Sequence, residues 1–256
     1  MTLTQAAAKG VRWNALSMLL IAITQLIRLV VLGRILGPEA FGLLAMMLVV
    51  TGFVEILGQM GLSEAIIQRP DPTHIEISSL YWLNIVMGGL LYVALLLVTP
   101  LIAALYSTPE LEQLLPWVAL AFLISPWGVQ FKALLQKHLY FKPLVIVEIF
   151  ASVVGMLVAI VLAMQGYGVW SLVWGQLAQS AAMALSLVLV GWQYKMLPSL
   201  YFSYTAVKSY LSFGLHLLGS NILYYFNSRI DQLVVGALLG PQALGYYSMA
   251  FNLVLQ

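Results

Sequence analysis

Gly33-Arg34-Ile35-Leu36-Gly37-Pro38-Glu39-Ala40-Phe41-Gly42 has a second copy near the other end of the chain, Gly236-Ala237-Leu238-Leu239-Gly240-Pro241-Gln242-Ala243-Leu244-Gly245. A shift of 203 positions lays Gly33, Leu36, Gly37, Pro38, Ala40, Gly42 and Met46 on identical residues, seven of fourteen. An internal repeat is read first because it sets the plan of the fold. Each copy lies between two long apolar runs, with Gly to end one helix and Pro to open the next. The alternative is a chance likeness between two apolar turns.

The apolar runs on either side decide the class. Hydrophobic residues make up 62% of the 256, charged residues 8%, and mean hydropathy is +0.97. Soluble domains carry roughly 25% charged residues, so this chain cannot coat a globule with charge. It reads as an all-α integral membrane protein. The net charge of +2 is too small to suggest nucleic acid as a partner. With no cysteine, disulfides and thiol chemistry are excluded. His74, His138 and His216 are too far apart in sequence to form a ligand motif, and no metal or cofactor is expected. Lys9 and Arg12 precede about 20 mostly apolar residues without a small-residue cleavage site, so the first segment reads as a retained helix.

A spanning helix needs about 20 apolar residues. On that measure, spans are expected at 13–34, 40–62, 79–105, 116–136, 143–165, 168–192 and 213–236, with an eighth beginning near 242. Pro126 predicts a kink in the fourth. Lys9, Arg12, Arg69, Lys132, Lys137, Lys142, Lys195 and Lys208 fall on one side of this arrangement, and only Arg34 on the other. The excess of basic residues predicts a cytoplasmic N-terminus. Six helices separate the two copies of the turn, so both run the same way, as in a parallel repeat about an axis along the membrane normal. The expected division is a six-helix lobe (1–195), a cytoplasmic linker (196–212) and the start of a second lobe (213–256). On this reading the chain is the N-terminal part of a protein nearly twice as long.

Ionisable side chains inside a bilayer are costly and by default face a cavity or a partner. Arg28, Glu55, Glu148, Arg229 and Asp231 qualify, with His216 near a helix start. Arg28 and Asp231 are equivalent under the repeat (28 + 203 = 231), so they are candidates for a pair at the lobe interface. The alternative is that each finds a partner in its own lobe. Span one carries a polar stripe of Asn14, Thr24, Gln25 and Arg28. Arginine in a site of low dielectric suits bidentate recognition of phosphate, making Arg28, Arg229 and Gln25 candidates for a pyrophosphate. Hydrogen bonding of the arginines to backbone carbonyls is the structural alternative. Glu55 and Glu148, set nearer the cytoplasmic side, are candidates for carrying a coupling proton or for bonding helices together. Asn84, Gln176, Gln179 and Ser180 read as polar contacts between helices. The basic, aromatic stretch Phe131–Pro143 reads as a cytoplasmic loop that anchors topology or attracts anionic membrane lipids. Trp13, Trp82, Trp117 and Trp170 fit interfacial belts.

Several motifs carry a family resemblance: Lys9-Gly10-Val11-Arg12-Trp13, the turn at 36–42, and Gly61-Leu62-Ser63-Glu64-Ala65-Ile66-Ile67-Gln68. Ala133-Leu134-Leu135-Gln136, Tyr140-Phe141-Lys142 and Gly166-Tyr167-Gly168-Val169-Trp170-Ser171-Leu172-Val173 add to it. Over essentially the whole chain the sequence resembles the Wzx-type lipid-linked oligosaccharide flippases. These belong to the multidrug/oligosaccharidyl-lipid/polysaccharide exporter superfamily. The resemblance implies a two-lobed, MATE-like helical transporter of the bacterial inner membrane, working by alternating access and not an enzyme. Its implied substrate is an undecaprenyl-pyrophosphate-linked repeat unit for polysaccharide biosynthesis, with polysaccharide polymerase machinery as a candidate partner. It also implies cavity arginines on spans one and seven, matching Arg28 and Arg229. The basic residue expected after Leu-Leu-Gln is Lys137 here, where the subgroup has arginine. A multidrug exporter would need acidic groups for cationic drugs, against Arg28 and Arg229. A membrane enzyme of polysaccharide assembly would need large loops, and these connections are short.

Overall fold

Apolar runs of this length satisfy their backbone groups only as helices, and helices are what form. The computed structural model describes residues 3–59, 62–68 and 72–254, and no strand occurs among them. The expectations resting on Lys9, Arg12, Trp13, Asn14, Arg69 and His216 lie outside the residues and side chains described. In chain order the helices are α1 (Leu3–Gln59), α2 (Leu62–Gln68), α3 (His74–Leu105), α4 (Glu110–Ala119), α5 (Ala121–Ile124), α6 (Pro126–Lys137), α7 (Phe141–Met164), α8 (Val169–Gln193) and α9 (Tyr204–Val254).

Among the described residues, four helices are long and apolar enough to cross a membrane: Met18–Gly58, His74–Leu105, Phe141–Met164 and Val169–Gln193. A fifth is the pair Glu110–Ile124 and Pro126–Lys137, bent by 47°. The bend falls at Pro126, as the sequence predicts, because proline removes a helical hydrogen bond and crowds the preceding turn. These helices and the expected seven spans differ at two places. First, 13–34 and the described part of 40–62, up to Gln59, both lie in α1 as two helical stretches that part at the expected turn, at Gly37, whose φ of 75° and ψ of 176° break the helix. Second, 213–236 is helical within α9 but is not among the apolar spans. Asn221, Asn227, Arg229, Asp231 and Gln232 dilute it.

The two copies of the turn pack on each other. α1 and α9 form the most extensive helix contact in the structure. Gly240 repeats the Gly37 break, with φ 80° and ψ −178°. A Cβ on Gly42 would overlap the Pro241 carbonyl, and a Cβ on Gly245 would overlap the Pro38 carbonyl. One on Gly33 would lie 3.5 Å from Met249 Cε, and one on Gly236 would lie 3.5 Å from Met46 Cε. Each contact is thus matched by its partner under the shift of 203, the reciprocity of a two-fold interface. Leu32, Phe41, Leu44, Met46, Met47 and Leu244 fill the core around it.

A second core, with Leu62, Ile66, Leu80, Leu134, Val207 and Tyr210, lies where α2, α3, α6 and the start of α9 meet. α9 begins at Tyr204, so of the 196–212 expected to be linker only 196–203 is non-helical, part of a strap that runs over 194–203. This strap is tied to the first turns of α3. Ser199 N donates to Ser78 Oγ at 2.9 Å, Ser203 N donates to Ser79 Oγ at 2.9 Å, and Trp82 Nε1 donates to Ser199 O at 2.9 Å. The same end of α3 carries a capping box, with Thr73 N donating to Glu76 Oε2 at 2.8 Å and Glu76 N to Thr73 Oγ1 at 3.3 Å. Ser78→Ala leaves Ser199 N without its acceptor, so limited proteolysis should cut within 195–203 several-fold faster than in wild type. An unchanged cleavage rate would show that the strap is held by other contacts.

Candidate functional site

The polar residues of the helices collect in two places. The first is the repeat interface. Arg28 lies on α1 with Nη2 buried and without a hydrogen-bond partner. Asp231, its equivalent on α9, accepts a hydrogen bond at Oδ2 from the Tyr247 hydroxyl, while Oδ1 is buried without a partner. Arg229 Nη1 donates to Gln232 Oε1 at 3.1 Å, one turn along the same helix. Tyr225 donates from its hydroxyl to Val49 O at 2.5 Å and ties α9 to α1. Gln25, on the same helix as Arg28, is exposed and engaged in an interaction of its own.

The expected Arg28–Asp231 ion pair is not formed in this structure. The reason is visible in the repeat itself. Tyr247 supplies Asp231 with a donor from within α9, and the residue equivalent to Tyr247 in the first copy is Leu44, which has none to offer. The two charged groups therefore each keep a buried atom without a hydrogen-bond partner.

The second place is a partly open cavity of about 550 Å³ lined mainly by α1, α3, α6, α7 and α8. Glu55 and Glu148 both line it, although they are 93 positions apart (148 − 55). Lys132 Nζ forms an ion pair with Glu148 Oε1 at 2.9 Å across the α6–α7 contact. The side chains are 36% and 22% exposed, open to the cavity rather than sealed in the core. Three of these helices contribute polar groups one turn apart: Lys132 and Gln136 on α6, Glu148 and Ser152 on α7, Gln176 with Gln179 and Ser180 on α8. This i, i+3/i+4 spacing is the signal in the sequence, since it stacks polar side chains on one face. Close helix packing shapes the wall: a Cβ on Gly155 would come 2.9 Å from Gly175 O, bringing α7 and α8 nearly into backbone contact.

Asn84, Gln176, Gln179 and Ser180, expected as contacts between helices, line this cavity, and Gln179 on α8 also packs against Gly155 on α7. Lys132, expected in a loop, is on α6 and points into it. The stretch 131–137 is helix rather than loop, and Lys137 Nζ donates to Ile66 O at 2.9 Å, at the end of α2. A cation at a helix C-terminus is favoured by the exposed carbonyls there. Trp117 packs with Trp170 and Trp174, at centroid distances of 6.2 and 5.3 Å. Arg28, Gln25 and Arg229 do not line the cavity, so the basic and acidic candidates occupy different places.

Long apolar helices, a repeat packed about a two-fold and polar groups gathered inside the bundle define a multi-pass α-helical membrane protein. The chain matches the family described as "Polysaccharide biosynthesis protein" over residues 31–256. It belongs to that family. It is 33% identical over 252 residues to the lipopolysaccharide biosynthesis protein WzxC of Escherichia coli K12, covering 98% of this chain and 51% of that protein. To the teichuronic acid biosynthesis protein TuaB of Bacillus subtilis it is 34% identical over 255 residues, covering 99% and 52%. To the succinoglycan biosynthesis transport protein ExoT of Rhizobium meliloti it is 27% identical over 246 residues, covering 96% and 49%. The chain spans about half the length of the curated relatives it matches. No solved structure matches it.

Proposed function

We propose that this chain works as part of a two-lobed flippase that carries a lipid-linked oligosaccharide, joined through undecaprenyl pyrophosphate, across the bacterial inner membrane. The observation that carries the reading is the buried Arg28 Nη2 without a hydrogen-bond partner, on the helix that carries the first copy of the repeat. A guanidinium held in an apolar span with a free donor is poised for an anion, and a pyrophosphate is the anion such a substrate offers. Kinship with a succinoglycan transport protein supports transport rather than enzymatic turnover.

In this reading residues 1–195 form the first lobe, 196–212 connect it, and 213–256 open the second. The N-terminus is cytoplasmic and the lobes alternate access around the charged layer. Arg229 and Gln25 assist Arg28 with the pyrophosphate. Glu55 and Glu148 are the coupling carboxylates, since protonating Glu148 would release Lys132 and so change the charge inside the cavity. Membrane lipids surround the helices, and the polymerase machinery that uses the translocated units is the natural partner.

Arg28→Ala in the full-length protein, made in its own host, should lower surface polysaccharide at least tenfold with the protein at its normal level. Loss of one charge-assisted hydrogen bond, about 1.5–3 kcal/mol, corresponds to that range. Arg28→Lys should recover only part of it, because the ammonium cannot bind bidentately. Wild-type polysaccharide in the Arg28→Ala strain would remove the arginine from the reading.

A further inference from the structure

The cavity between α1, α3, α6, α7 and α8 holds chemistry that neither a pyrophosphate nor a coupling proton uses. At about 550 Å³ it lies within the range of small-molecule sites, about 300–1,000 Å³. The side-chain amides of Asn84, Gln176 and Gln179 open on it and make no hydrogen bond to another described residue. A primary amide offers two donors and an acceptor with two lone pairs, so three of them set both kinds of edge around one space. Polar groups left this way inside a membrane bundle cost free energy unless something fills them.

The lining narrows what that something is. An apolar ligand would strand the amides. An anion would meet Glu55 and Glu148. No cluster of His, Cys, Asp or Glu suited to a metal ion occurs among the described residues. A neutral, hydroxyl-rich ligand matches all of it: amides bridge neighbouring hydroxyls, carboxylates accept from them, and the Lys132–Glu148 pair offers a donor and an acceptor 2.9 Å apart.

We propose that this cavity is a saccharide site, which receives the first sugars of the substrate while the lipid pyrophosphate is held elsewhere, at the arginines. The proposal rests on the flippase reading above and adds to it the place where the sugar is recognised. Gln176 and Gln179 stand one turn apart on the same face of α8 and are its principal hydrogen-bonding residues.

The test uses the purified full-length protein in nanodiscs and two kinds of probe. One is bare undecaprenyl pyrophosphate; the other is the same lipid carrying glucose, galactose or N-acetylglucosamine. Wild type should bind at least one glycosylated lipid about tenfold more tightly than the bare lipid, the yield of one or two net hydrogen bonds. Gln179→Leu and Gln176→Leu should each shrink that preference to less than about threefold while leaving bare-lipid binding unchanged, which also reports an intact fold. Arg28→Ala should weaken all the probes by the same factor. Variants that keep the full preference would overturn the cavity assignment and leave the flippase reading standing. A wild type with no preference for any glycosylated lipid would overturn it too. A wild type that binds neither kind of lipid would overturn the flippase reading itself, and this proposal with it.

Discussion

Gly42→Leu and Gly245→Leu will each abolish recovery of folded protein, whereas Gly89→Leu will be recovered at close to wild-type yield. At Gly42 the first carbon of any side chain meets the Pro241 carbonyl, and at Gly245 it meets the Pro38 carbonyl. Backbone cannot rotate out of the way as a flexible side chain can. Overpacking a core costs typically about 1–3 kcal/mol, and a clash of backbone on both sides of a two-fold should exceed that range. Gly89 sits mid-helix in α3, and a Cβ there would find nothing within 4 Å, so leucine meets only open space. The measurement is the monodisperse peak on size exclusion in detergent, normalised to total expression. Equal yields for Gly42→Leu and Gly89→Leu would show that the two repeats do not pack closely at this turn. Because the contact is reciprocal, the Gly42→Leu and Gly245→Leu losses should be of similar size.

The second large effect concerns the ion pair in the cavity. Lys132→Met leaves the Glu148 carboxylate facing the cavity without its cation, and Glu148→Gln does the converse. Since both groups are partly exposed, the coupling should be about 1–2 kcal/mol rather than that of a fully buried pair. Thermal unfolding in detergent should therefore show each single variant destabilised and the double variant no worse than the poorer single. Strict additivity of the two would mean that the 2.9 Å contact contributes nothing to stability. On the proposed flippase reading, transport should respond more strongly than stability. If the pair also presents groups to the substrate, restoring it in reversed order, as Lys132→Glu with Glu148→Lys, should recover the melting temperature but not the export of polysaccharide.

Much of the plan is legible in the chain. The Gly-Pro turn declares itself by its repetition, and the structure packs the two copies against each other with matched contacts at Gly33, Gly42, Gly236 and Gly245. The bend at Pro126 follows from proline chemistry alone. The cavity is half legible: Glu55 and Glu148 stand out because a charge in an apolar run is conspicuous. Asn84, Gln176 and Gln179 do not, because a neutral amide in a span serves equally well as a contact between helices. Their spacing places them on one face of each helix, but spacing cannot tell whether that face meets a neighbour or a void. The partner of Asp231 is hidden for a related reason. Symmetry of position suggests Arg28, yet the choice is made by Tyr247, a residue whose equivalent in the first copy is Leu44.

The class of protein, its helical content and the register of its repeat follow from the order of residues alone. Inside a membrane a backbone is satisfied by helices or closed barrels, and continuous apolar runs of about 20 residues select the helix. Where α9 begins, how the strap at 194–203 is tied down, and which polar faces enclose a cavity were decided only by the tertiary structure. Those outcomes depend on distances between residues far apart in the chain, set by the packing of small residues such as Gly42, Gly155, Gly175 and Gly245.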